Sequence, residues 1–200
     1  LHLCHHNLES TDTNNYYSDN AKHKLLLEVC YAAKYEGDSI KTPYPNHENT
    51  NPDTKSQLCT VLARSFADIG DIVRGRDLFH GNDEEKKQRK QLDDKLKEIF
   101  AKIHSEVTSG RNGQIEARYK KDPGFFKLRE DWWYANRATI WEALTCDVKD
   151  NTYFHATCNG GEQTKGYCRC NGDKPGDDKK PGSNADQVPT YFDYVPQYLR

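Results

Sequence analysis

The sequence predicts an all-α domain, a disulfide-stapled helical bundle with long loops. Apolar residues recur at the 3.6-residue period of an amphipathic helix in four separate stretches. The segments between these stretches are rich in Gly, Pro, Asn and Asp, which are typical of loops. Seven cysteines in 200 residues are too many for an ordinary cytosolic domain, so we expect disulfide bonds and an oxidising compartment.

Composition excludes several functional classes. Only 34% of residues are hydrophobic and 30% are charged, so the apolar residues must be concentrated on helix faces. The net charge of −2 argues against nucleic acid as a partner, because such binders usually carry a basic domain or stripe. No apolar run reaches about 18 residues, so we expect no membrane insertion. No signal peptide opens the chain, which begins within a motif and is therefore expected to be a piece of a longer protein.

The first three helices follow from the apolar period. The first is predicted over residues 21–36 and should end at Gly37. A proline-containing loop precedes the second helix, predicted over residues 53–73, with a kink at Gly70. The third helix, over residues 83–107, has the clearest apolar stripe. The core residues predicted on the second and third helices are Phe66, Ile69, Leu96 and Ile103.

The fourth helix lies within residues 122–146, which hold all three tryptophans of the chain. Asp122 can cap its N-terminus, and Pro123 is tolerated in the first turn. Trp and Phe each bury roughly 150–250 Å², so we interpret these aromatic residues as the central packing element. The predicted core residues are Phe126, Trp132, Trp133, Ile140, Trp141 and Leu144.

Charged residues on the second helix allow two interpretations, either a binding patch or salt bridges between helices. The salt bridges are favoured, because charge-patterned helix faces usually serve this purpose. The residues concerned are Arg64, Asp68, Asp71 and Arg74.

The most basic stretch covers residues 111–130, with six basic and three acidic side chains and a net charge of +3. A polyanion contact is expected here if anywhere, although a solvated helix end is favoured on charge alone. The basic residues near Lys86 have acidic neighbours that lower the local potential. The candidate polyanion contacts are Arg111, Arg118, Lys120, Lys121 and Lys127.

The cysteines are predicted to form disulfides, with one unpaired or paired outside this chain because the count is odd. Cys168 and Cys170 are too close together to pair comfortably, so they should reach different partners. Zinc is disfavoured, because structural sites usually separate paired cysteines by two to four residues. No enzyme motif, cofactor motif or metal-binding helix is present. The disulfide candidates are Cys4, Cys30, Cys59, Cys146, Cys158, Cys168 and Cys170.

Four ordered blocks carry a resemblance to a known family. The sequence REDWW, followed by ANR and IWEALTC, resembles the Duffy-binding-like domains of malaria-parasite adhesins. LHLC at the start, CTVLARSFADIGDIVRGRDLF at residues 59–79 and PTYFDYVPQYLR at residues 189–200 agree in the expected order. LARSFADIGDIVRG and DYVPQYLR are similar to the alpha type found in the variant surface antigens of the Plasmodium falciparum erythrocyte membrane protein 1 family.

The resemblance implies a noncatalytic adhesion module on the extracellular face of the infected erythrocyte, within a longer membrane-anchored protein. It implies host red-cell or endothelial receptors, either protein or glycan, with heparan sulfate and blood-group sugars among them. Rosetting, antigenic variation and antibody binding are further implications. A structural spacer without a receptor site is the alternative. By the same resemblance, residues 1–53 end the first subdomain, residues 54–200 form the second, and the third is absent.

Overall fold

The computed structural model describes residues 20–42, 57–78, 81–109, 113–158, 161–170 and 188–200. These residues form five α-helices: α1 (Ala21–Lys41), α2 (Gln57–Arg74), α3 (Asp83–Thr108), α4 (Gly113–Tyr119) and α5 (Phe126–Leu144). Short 3₁₀ turns cover Pro123–Phe125, Phe192–Tyr194 and Gln197–Leu199. The described part contains isolated β-bridges but no strand. The predicted all-α class is confirmed.

Helix α5 is the central packing element of the fold. Trp133 and Trp141 are fully buried, and the ring of Phe66 lies 5.0 Å and 5.2 Å from theirs. Trp132 faces α3, where its ring meets Phe100 edge-on at 6.0 Å. The tryptophans therefore join α5 to both α2 and α3. The predicted core residues that are buried are Phe66, Ile69, Leu96, Ile103, Trp132, Trp133, Ile140, Trp141 and Leu144.

Phe126 is the exception, and its predicted place in the core is wrong because its side chain is 49% exposed. It is the first residue of α5, beyond the tryptophan-lined core, and its ring lies beside the backbone of Gly75.

The predicted helix start at Asp122 and Pro123 is too early, because Pro123–Phe125 form a separate 3₁₀ turn and α5 begins at Phe126. The Asp122 side chain nevertheless caps α5 across this turn. Its Oδ2 accepts hydrogen bonds from the backbone N–H groups of Lys127 at 2.9 Å and Leu128 at 3.2 Å.

Helices continue through two glycines, Gly37, which was predicted to end a helix, and Gly70, which was predicted to kink one. Helix α1 passes through Gly37 to Lys41, and a Cβ at Gly37 would lie 2.1 Å from the carbonyl oxygen of Leu144. Helix α2 passes through Gly70, where a Cβ would lie 2.8 Å from the indole of Trp133. Both glycines therefore allow α5 to approach closely, which local sequence signals for helix ends do not reveal.

The start of α3 matches the prediction because a capping box fixes it. The Asn82 side chain accepts from the Glu85 backbone N–H at 2.9 Å, and the Glu85 carboxylate accepts from the Asn82 N–H at 2.9 Å. These reciprocal bonds satisfy donors that the first turn of a helix leaves unpaired.

Two disulfides anchor the segment that follows α5. Cys59 of α2 pairs with Cys168, and Cys158 pairs with Cys170. Cys168 and Cys170 thus reach different partners, as predicted. Cys30 and Cys146 are free thiols, so two cysteines of the described residues are unpaired rather than the single one expected. The remaining candidate, Cys4, lies outside the described residues.

Candidate binding surface

The C-terminal segment, residues 188–200, is held to α5 by a buried carboxylate. Asp193 is 1% exposed and accepts hydrogen bonds from Nε and Nη2 of Arg137, both at 2.8 Å. The Trp133 indole N–H donates to the same carboxylate at 2.9 Å. The buried guanidinium of Arg74 donates to the backbone carbonyl of Asp193. Because these charges are buried and fully engaged, the segment is fixed in place.

The charged residues of α2 form part of the same attachment. Arg200 contacts Asp68 at 2.9 Å and also binds Asp71, while Arg74 contacts Asp71 at 3.0 Å. Burial raises the pKa of the Asp68 and Asp71 carboxyls, and the Arg200 guanidinium opposes that rise. The Arg200 pairs tie α2 to the C-terminal segment, and the predicted salt bridge between helices is that of Arg74 with Glu130 of α5 at 3.3 Å. Arg64 is exposed on the helix surface.

Arg118, a predicted polyanion contact, is engaged within the protein. Its Nε and Nη2 each donate to the Asp131 carboxylate at 2.6 Å, and the Tyr119 hydroxyl donates to the same group at 2.9 Å. The Arg118 guanidinium holds the pKa of the Asp131 carboxyl below its ordinary value, although partial burial opposes this. Helix α4 has no buried residue, so this pair is a main attachment to α5, and the charge of Arg118 is compensated.

Three other candidate contacts have no ion-pair partner in the part of the chain that the structure describes. Lys120, Lys121 and Lys127 are exposed, and no described carboxylate lies within ion-pair distance of their ammonium groups. Arg111 lies outside the described residues. Among the described residues of this region, these three lysines are therefore the predicted contacts without an ion-pair partner, and their role in polyanion binding stays a prediction.

Sequence analysis did not identify the exposed apolar residues. On α1, the side chains of Leu27, Tyr31 and Tyr35 are 53%, 48% and 55% exposed and lie four residues apart on one face. In the C-terminal segment, the ring of Tyr194 lies 5.3 Å from the Arg137 guanidinium. The four-residue spacing of these side chains indicates an apolar face, but a second apolar face on the same helix is the one that is buried. The exposed tyrosines of the C-terminal segment are Tyr191, Tyr194 and Tyr198.

Two further observations concern metal binding and membrane insertion. Among the described residues, no cluster of three or more His, Cys, Asp or Glu side chains is suited to hold a metal ion. None of the described helices has the length and apolar character needed to cross a membrane.

These features define a disulfide-linked, all-α domain with basic and aromatic residues exposed on its surface. The sequence profile of the Duffy binding domain family matches residues 1–200, and the chain belongs to this family. Duffy-binding-like domains of PfEMP1, a surface antigen of infected erythrocytes, are adhesion modules and not enzymes.

Several solved structures are similar to this chain. The NTS-DBL1(alpha-1) domain of Plasmodium falciparum PfEMP1 from the varO strain is 37% identical, with a TM-score of 0.71, over 99% of this chain and 40% of that one. The varO double domain containing DBL1-alpha and CIDR-gamma is 38% identical, with a TM-score of 0.63, over 88% of this chain and 23% of that one. The chain thus spans less than half the length of either. No curated protein sequence matches it.

A third solved structure is a complex. The PfEMP1 IT4var13 DBLbeta domain bound to ICAM-1 is 29% identical to this chain, with a TM-score of 0.64. The match covers 96% of this chain and 39% of that one. In that relative, a domain with a similar fold binds a protein receptor.

Proposed function

We propose that this chain is an adhesion module that binds a host-cell receptor and displays variant antigenic loops. The observation that carries the proposal is its similarity across 96% of its length to a DBLbeta domain solved in complex with ICAM-1. The proposed receptors are on red cells or endothelial cells, the proposed location is the surface of the infected erythrocyte, and antibodies are further proposed partners.

The physical character of the surface supports binding. Tyrosine and arginine are enriched among the residues that dominate binding energy in interfaces. Tyr191 and Tyr194 lie 5.9 Å and 5.3 Å from the guanidinium of Arg137, which Asp193 holds in place. Rings fixed in this way lose little conformational freedom on binding, so more of the contact energy contributes to affinity.

A glycan receptor such as heparan sulfate would use the three lysines that have no ion-pair partner among the described residues. Exposed ammonium groups attract sulfates by interactions that salt screens over roughly 8–10 Å at physiological ionic strength. Binding through Lys120, Lys121 and Lys127 would therefore weaken steeply as salt is raised. A protein receptor or a neutral blood-group sugar would use loop or aromatic residues, and its binding would persist in salt.

The test is a salt titration of the binding of the 200-residue chain to red cells and to endothelial cells. The basic variant changes Lys120, Lys121 and Lys127 together to Ala. The control changes three other exposed lysines to Ala, so that net charge is equal. These are Lys34, Lys149 and Lys165.

The outcomes separate the proposals. Salt-sensitive binding that is weakened in the basic variant alone supports a sulfated glycan. Salt-insensitive binding that both variants retain supports a protein or a neutral sugar. A folded chain that binds neither cell type at any salt concentration would contradict the adhesion proposal and favour the structural spacer.

A further inference from the structure

A pocket of about 220 Å³ lies where the C-terminal end of α2 meets the second to fourth turns of α3. Its apolar floor comprises Ile72, Leu92 and Leu96, each at most 8% exposed. Charged side chains from both elements, including Lys90, form its walls. The pocket is therefore amphipathic, with room for a single compact group.

The acidic residues of the walls already have partners. Asp77 contacts Arg89 at 3.5 Å and accepts from the Gln197 side chain at 3.2 Å. Asp93 accepts from both terminal nitrogens of Arg129 at 2.9 Å and contacts Lys97 at 2.7 Å. Burial raises the pKa of the Asp93 carboxyl, but the hydrogen bonds from Lys97 and Arg129 outweigh it and leave the pKa lowered. Both carboxylates are thus engaged by cationic or amide donors.

Lys90 differs from these residues because no described carboxylate lies within ion-pair distance of its ammonium group. An uncompensated cation beside an apolar floor attracts an anion that is carried on an apolar stem. Lys86 and Lys87, one turn earlier on α3, do not line the pocket. Lys87 resembles Lys90 in that it is exposed and has no ion-pair partner among the described residues.

The remaining wall is the backbone of Gly75, which ends α2 with φ +71°. A Cβ at this position would lie 2.3 Å from Nη1 of Arg129 and 3.0 Å from the ring of Phe126. The glycine therefore lets the guanidinium and the half-exposed ring lie against the end of α2.

We propose that this pocket binds one acidic anchor side chain, of the glutamate type, presented by a protein receptor. The inference rests on the proposed adhesion function and names the chemistry of one contact. The methylene stem of the anchor packs on Ile72, Leu92 and Leu96, and its carboxylate binds the ammonium of Lys90. A sugar ring fits less well, because the hydroxyls on the face packed against Ile72, Leu92 and Leu96 would leave water without gaining hydrogen-bond partners from that floor.

The test measures amide chemical shifts of the 200-residue chain during titration with N-acetyl-glutamate N-methylamide. We expect saturable shifts at Gly75, Lys90 and Asp93. The neutral glutamine analogue should bind about tenfold or more weakly, since it lacks the charge-assisted hydrogen bond. Glucuronate is the acidic-sugar probe and should also bind more weakly.

Two variants assign the contact. Lys90→Gln should weaken binding of the blocked glutamate about tenfold or more and should likewise weaken binding to receptor-bearing cells, whereas Lys87→Gln should change neither. Absent saturable shifts, equal loss in both variants, or tighter binding of glucuronate would overturn the assignment. A chain that binds the probe here but binds no host cell would instead contradict the proposed function.

Discussion

Arg137 and Asp193 lie 56 residues apart in sequence, yet they form a buried bidentate ion pair with both hydrogen bonds at 2.8 Å. The side chains of the pair are 7% and 0% exposed. Removing two charges from water is costly, and only close geometry and further hydrogen bonds offset that cost. Here Trp133 and the backbone carbonyl of Thr190 supply the further bonds. The pair thus determines where the C-terminal segment lies.

Replacing Asp193 with Ala should destabilise the fold by about 3–5 kcal/mol, because the Arg137 charge is left buried without its partner. Urea denaturation followed by circular dichroism measures this change. Asp193→Asn keeps the shape and one acceptor, and it should cost less. An unchanged midpoint for Asp193→Ala would show that the pair does not form in solution.

Trp141→Ala should also cost about 3–5 kcal/mol, since it removes a fully buried ring and leaves a cavity. It also deletes the hydrogen bond from the indole to the carbonyl of Cys168 at 2.9 Å. Tyr134→Ala on the same helix is the control, because this side chain is 67% exposed. The control should change stability by about 0.5 kcal/mol or less. Equal effects of the two substitutions would refute the assigned face of α5.

Gly37→Ala should destabilise the protein by about 1–3 kcal/mol, because the methyl group would collide with the backbone of Leu144. Gly113→Ala is the matched control in α4, where an added Cβ meets no atom within 4 Å. It should be neutral or slightly stabilising, because Ala favours helix more than Gly does. Thermal melts of both variants test the contrast, and a stable Gly37→Ala protein would rule out the close approach of α1 to α5.

The Asp131 carboxyl should titrate below its ordinary pKa of 3.8 because of Arg118. A lowered folded pKa contributes stability that is present above the unfolded pKa and is lost as the pH falls through the folded value. The attachment of α4 should therefore weaken below about pH 4. Carboxyl NMR titration measures the shift, and Arg118→Ala should move the pKa upward. No movement in that variant would show that another group causes the shift.

The two free thiols should be poorly reactive in the folded protein. Burial raises the pKa of the Cys30 thiol from 9.0 to about 12, and nearby Glu142 adds to the rise. Burial also raises the pKa of the Cys146 thiol, with its hydrogen bond to Asp147 adding to the effect. Because the thiolate is the reactive species, iodoacetamide at pH 8 should modify Cys30 far more slowly in the folded chain than in urea. Peptide mapping that places Cys30 in a disulfide would contradict this expectation.

The sequence by itself determined the four longer helices of the described residues, most of the core and the family. Apolar period is a local property, so the stripe of α3 predicted its start at Asp83, where the structure shows a capping box of Asn82 and Glu85. The tryptophans identified the central helix, because rings of that size are buried wherever the fold allows. The motifs around them indicated the family, which the profile match shows.

Only the tertiary structure decided which residues meet. Charge alone made Arg118 a candidate polyanion contact or a solvated side chain, whereas the packing of α4 pairs it with Asp131. Phe126 satisfied the apolar period, but it lies beyond the end of the core. Gly37 matched a helix stop, and only the position of α5 shows why a glycine is required there. Local sequence sets the face that a residue occupies on its own helix, whereas its partner depends on how helices distant in sequence pack together.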